Sequence, residues 1–158
     1  MSRSSINRRQ FTASATIILM LAIMCLLLSS CFSNYTKNVR DQDAKISSVI
    51  MQWGYAIEKL NYQLYAKNMK YPETKETFLE EYKDYYFSGL TIVSIDYSEP
   101  KILGGESYDS VSVSVGAQSI TRDGSLPEGQ MHGTIELVRL SSNTELEWKI
   151  HGKMLMRN

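Results

Sequence analysis

The sequence predicts an α+β roll, with a long N-terminal helix and a second helix packed on a curved four-stranded antiparallel sheet. Three observations carry this. Apolar side chains recur every three or four positions from residue 41 to residue 67. From residue 90 onward the recurrence shortens to two. The two regimes do not interleave; helices come first and strands after, which is the α+β order. With 158 residues the chain can build one domain with a real core, even after a targeting segment is set aside.

The chain opens with such a segment. Residues 1–30 carry Arg3, Arg8 and Arg9 and no acidic side chain. An unbroken apolar run of 12 residues, 17–28, follows. That is short of the roughly 20 residues a bilayer-spanning helix needs, and fits a secretory signal peptide. Its end, Leu28-Ser29-Ser30-Cys31, resembles the bacterial lipobox: a Leu and two small residues before the Cys that receives a diacylglycerol. The resemblance implies recognition of Leu28, Ser29 and Ser30 by the signal peptidase, cleavage before Cys31, and a thioether-linked lipid on Cys31. The competing expectation is a plain membrane anchor that contains Cys31. Phe32, not Asp, follows the Cys. By the family's sorting rule that implies the periplasmic side of the outer membrane in a Gram-negative host, and otherwise the outer face of the plasma membrane. The stretch Asn7-Arg8-Arg9-Gln10-Phe11 is similar to the twin-arginine export motif. It lacks the Ser or Thr before the arginines, and Thr12 replaces an apolar residue, which favours ordinary secretion.

Cysteine and charge then narrow the function classes. Cys25 lies in the segment to be removed and Cys31 takes the lipid, so the remainder offers no thiol for a disulfide, a zinc cluster or a nucleophile. The three arginines leave too, so 14 of the 17 Lys+Arg face 17 Asp+Glu. A net charge near −3 argues against nucleic acid as a partner.

Residues 31–40 read as lipidated cysteine and short tether, and 41–158 as the folded domain. Ile46, Ile50, Trp53, Ile57, Leu60 and Leu64 form one stripe and predict a single helix over 41–67, with Asp41 and Asp43 in its first turn. Tyr71-Pro72-Glu73-Thr74 starts a second helix over 74–86, displaying Phe78, Leu79, Tyr82 and Tyr86 and closed by Gly89. Thr91, Val93, Ile95 and Tyr97 alternate along a first strand. Val111, Val113, Val115 and Ala117 alternate with Ser110, Ser112, Ser114 and Gly116 along a second. The loop 122–130 breaks the pattern. Ile135 and Leu137 lead the third strand. Leu146, Trp148, Ile150, Met154 and Met156 form the inner face of the fourth, after a turn at 141–144. Matching inner faces pairs Leu137 with Trp148, Ile135 with Ile150 and Glu136 with Lys149, and sets Gly133 opposite Gly152. Two facing glycines suggest a bend or the close approach of another group.

This element order, with the ending Leu146-Glu147-Trp148-Lys149-Ile150, resembles the nuclear-transport-factor-2-like and cystatin-like superfamily over residues 41–158. The resemblance implies a cone between helix and sheet that in the enzymatic branch holds an Asp or His base and an oxyanion-stabilising acid or Tyr. No residue here matches that set. Asp96 has the polar parity of its strand, and Asp109, near Gly104-Gly105, reads as turn chemistry. His132 and His151 fall on the outer face and lack the acidic neighbours a metal site needs. No catalytic residue, cofactor or metal is therefore expected. Lys149, His151, Lys153 and Arg157 form a basic outer stripe, suited to a solvated edge or to a partner. Trp53, Tyr62, Tyr82, Tyr86, Gly133, Trp148 and Gly152 are the candidate pocket, beside Tyr65 and Tyr85; the same aromatics suit a packed core.

The function expected is a membrane-anchored envelope lipoprotein acting as a binding or assembly module with an envelope protein partner. The alternatives are a small-ligand binder using the cone, and an isomerase- or dehydratase-like enzyme. An open cone with a polar group inside would favour either alternative. A filled cone would favour the module.

Overall fold

Ile46, Val49, Ile50, Trp53, Ala56 and Ile57 line one face of α1 (residues 38–58), and each is at most 8% exposed. Covering that stripe is the task of everything that follows it in the chain. The computed structural model describes Met20, residues 38–123 and residues 129–157. Cys31, the rest of the expected signal segment and the tether as far as residue 37 lie outside the described residues, as does 124–128 in the loop between the second and third strands. Residues 38–40, expected to end the tether, are helical. Two compact units are present, Met1–Gln42 and Asp43–Asn158, and the second contains the sheet.

The single helix expected over 41–67 is two helices. α1 stops at residue 58, and α2 (Tyr62–Asn68) restarts behind Asn61, whose side chain accepts from the Leu64 amide at 3.1 Å. The break is a Schellman turn: the Asn61 amide donates to the Ala56 carbonyl at 2.8 Å and the Leu60 amide to the Ile57 carbonyl at 3.2 Å. Leu60 takes the left-handed position, φ 49°, that glycine usually fills. The sequence stripe passes through unbroken because Leu60 and Leu64 still pack against the core.

α3 (Lys75–Tyr82) is capped by Thr74, whose hydroxyl accepts from the Thr77 amide at 3.2 Å. It ends four residues before the expected stop at residue 86. Tyr85 and Tyr86 instead open β1 (Tyr85–Leu103), pairing with Thr121 and Ile120. Gly89, expected to close the helix, sits in that strand at φ 60°, inside a register shift between Ser88 and Thr91. Aromatic side chains satisfy a strand as readily as a helix, and here pairing with β2 decides.

β1, β2 (Glu106–Thr121), β3 (Gly129–Leu140) and β4 (Lys149–Arg157) form an open antiparallel sheet in sequence order. Together with the helices they make the α+β class that the sequence predicts. β2 follows the expected alternation: Val111, Val113 and Val115 are buried. Each contributes roughly 1.5–3 kcal/mol by leaving water, so a one-residue slip of this strand is excluded.

The flanking strands carry bulges that alternation does not reveal. A shift between Ile92 and Ser94 leaves Val93 74% exposed and Tyr97 51% exposed, while Leu90, Ile92 and Ile95 pack inward. In β4 the bulge falls at His151, since Leu137 pairs with Ile150 and Glu136 with Gly152. Beyond it the parity inverts. Lys153 and Leu155 take the inner side opposite Ile135 and Gly133, and Met154 and Met156 are exposed. The register pairing Leu137 with Trp148 and Glu136 with Lys149 is therefore corrected, and so is the basic outer stripe. Gly133 faces Leu155, not Gly152. Its glycine is required for closeness, because a Cβ there would run into the Met154 carbonyl oxygen and come within 2.9 Å of the Leu155 Cα.

Candidate functional site

The space between α1 and the sheet is filled by side chains. Trp53 is fully buried and stacks on Phe87 with ring centroids 5.3 Å apart. Tyr65, Phe78 and Tyr82 form a second aromatic group with centroids 4.5–6.1 Å apart. Trp148 is buried beneath the Arg139 guanidinium, 4.6 Å from its ring. Of the candidate pocket, Trp53, Tyr82 and Trp148 are thus core residues. Tyr62 is half-buried and donates its hydroxyl to the Glu73 carbonyl at 2.7 Å. Tyr86 lies in β1 with the Arg122 guanidinium 5.4 Å from its ring, and Gly133 and Gly152 lie at different places on the sheet. The structure does not bring these seven residues to one opening.

What the bulge at His151 does bring together is a charged cluster at the rim of the aromatic group. The Lys153 ammonium donates to the Tyr82 hydroxyl, to Glu81 at 2.8 Å and to the Tyr65 hydroxyl at 3.5 Å, with Glu73 at 3.8 Å. Tyr65 in turn donates to Glu73. Burial, first, and the neighbouring carboxylates push both phenols far above their ordinary range. The tyrosines therefore hold their protons, and the cluster ties α2 and α3 to β4 as an ion-pair and hydrogen-bond network.

The other titratable candidates lie apart from this cluster. The Asp109 carboxylate is disfavoured by burial, but hydrogen bonds from Arg139 and Ser141, both 2.8 Å, outweigh this and hold its pKa below the usual value. Asp96 is exposed and accepts from Ser94 at 2.8 Å. His132 is exposed beside Met156, and His151 meets the edge of Tyr71 at 5.8 Å. Among the described residues, no group of three or more His, Cys, Asp or Glu side chains could hold a metal ion.

Open concavities lie on the surface. One of about 510 Å³ on the outer face of the sheet involves Ser112, Thr134, Glu136 and Gly152. Glu136 there accepts from Ser110 at 3.1 Å and pairs with Lys101. Burial opposes its charge, yet these partners keep its pKa below normal. Two more, of about 480 and 230 Å³, flank the loop carrying Glu145, Leu146 and Glu147.

Sequence reasoning missed Arg122 and Arg139 and put Lys153 on the outer face, because each acts across long chain separations that no local pattern encodes. It also passed over Ile102, which is 70% exposed beside the Gly104-Gly105 turn. An apolar pair, Ile102-Leu103, directly before two glycines was the available signal. No family model, curated protein or solved structure matches the chain.

Proposed function

We propose that this is a lipid-anchored cell-envelope protein whose folded unit acts as a binding or assembly module, without catalysis. The observation that carries the choice is the filled interior. An enzyme or small-ligand binder of this shape needs open space between helix and sheet, and here Trp53, Phe87, Tyr82 and Trp148 occupy it. Surface recognition of a partner needs no such space.

The anchor rests on Leu28-Ser29-Ser30-Cys31 closing an apolar run too short to span a bilayer comfortably. Phe32 favours the periplasmic face of the outer membrane where the host has two membranes. The partner is an envelope protein, and a net charge near −3 after signal removal disfavours nucleic acid.

The test is metabolic labelling with a fatty acid and crosslinked pull-down from native membranes, comparing wild type with Cys31→Ala. Label lost and precursor retained in the variant is the expected result, with envelope proteins recovered only with wild type. Label persisting in Cys31→Ala would refute the anchor. Correct anchoring with nothing captured would move the reading to a ligand binder.

A further inference from the structure

We propose that the end of the sheet formed by the β1–β2 turn and the β3–β4 loop faces the anchoring membrane and inserts Ile102 into its phospholipid surface. This rests on the anchor reading above and goes beyond it by naming a contact surface of the folded unit.

The chain enters the folded unit at one end of the sheet. The unit starts at Asp43, whose carboxylate accepts from the Tyr97 hydroxyl at 2.8 Å. Tyr97 lies toward the far end of β1, which turns at Gly104-Gly105 into β2. β3 ends at the same place, since Leu140 pairs with Tyr108, and the Ser141 amide donates to the Ser107 carbonyl at 3.0 Å. The opposite end of α1 is held at the other end of the sheet, where Arg122 contacts Ile57 and Glu58 beside the first residues of β1. The entry point and the β1–β2 turn therefore share one end. Eleven residues lie between Cys31 and Asp43, and the last five of them belong to α1, so the span is at most about 33 Å and this is the end tethered closest to the lipid.

That end is unusual in composition. Ile102 is 70% exposed beside a half-buried Leu103, and the two glycines that follow, at φ 60° and 87°, add no side chain to cover it. Leu146, 47% exposed, adds apolar surface on the β3–β4 loop at the same end. The same end carries Glu99, Glu106 and Glu145, while Glu147 is paired with Lys149 at 3.2 Å and Lys67 at 3.8 Å, Lys70 donates to Tyr108 at 2.6 Å, and Lys101 is paired with Glu136. With charges of both signs there, largely paired with one another, no net attraction draws this end to anionic headgroups. The contact must then be apolar insertion into a zwitterionic surface, largely insensitive to salt, and too small to hold the protein without its anchor. Burying one aliphatic side chain of this size favours the bound orientation on the order of tenfold.

The test uses the full-length lipidated protein in protein-free phosphatidylcholine vesicles. After signal removal and transfer of the diacylglyceryl group to the Cys31 sulfur the chain has no free thiol, so Ile102→Cys and Lys83→Cys each accept one environment-sensitive fluorophore. Lys83 is exposed at the opposite end, next to Asp84, whose carbonyl accepts from the Arg122 amide. Blue-shifted emission at 102, quenched by spin-labelled lipid and unchanged in 0.5 M salt (an ionic strength at which screening acts within about 5 Å), with no shift at 83, is expected. Vesicle-bound protein with both probes in water, or both quenched alike, overturns the inference and leaves the anchor standing. A shift at 102 seen only in native membranes overturns it in favour of a protein partner. Protein that fails to float with vesicles refutes the anchor reading, and this inference with it.

Discussion

The Arg122 guanidinium donates to the carbonyl of Glu58, the last residue of α1, at 2.8 Å, across 64 positions of sequence. The same side chain donates to Ile57 at 2.5 Å and to Tyr82, the last residue of α3, at 3.1 Å, so one cation caps two helix ends. Arg122→Ala should lower unfolding free energy by about 2–3 kcal/mol, because three carbonyls lose a charged donor together. Arg122→Lys should recover less than half, since a point ammonium cannot span both helices. Urea denaturation of the three proteins measures this. Equal midpoints would show the clamp to be decorative.

Gly133 and Gly152 should respond differently to the same added methyl. Gly133→Ala drives a Cβ into the backbone of Met154 and Leu155 and should cost about 2 kcal/mol or more. Gly152→Ala meets only Glu136 Oε2 at 3.8 Å, an ordinary contact, and should stay within about 0.5 kcal/mol of wild type. Melting temperatures of the pair decide between this register and one in which the two glycines face each other.

Acid should weaken the fold through Asp109. Its pKa is lower folded than unfolded, so its stabilisation is complete above the ordinary Asp value of about 4 and is lost as pH falls below that, through the lower folded value. The Arg139 held by this carboxylate covers Trp148, so in a Trp53→Phe background indole emission is a local reporter. Asp109→Asn should be less stable than wild type at pH 7 and should flatten the fall in stability below pH 4. Parallel acid titrations of the two proteins would refute the assignment.

The sequence by itself determined the α+β class, the buried face of α1, the alternation of β2 and the apolar segment ending at Cys31. Each of these is a short-range pattern, because a helix repeats every 3.6 residues and a strand every two, and burial of one face writes that period into the chain. Tertiary structure decided the rest. Leu60 ends a helix without a glycine, because Arg122 and the Schellman bonds gather the free carbonyls there. Tyr85 and Tyr86 become strand residues because Thr121 and Ile120 lie alongside them. One extra residue at His151 turns Lys153 inward and Met154 outward, and with that choice the expected basic stripe becomes a buried-edge network with Tyr65 and Tyr82. A bulge costs a strand little locally and gains only through the contacts of its partners, so its position is settled by packing between segments far apart in the chain.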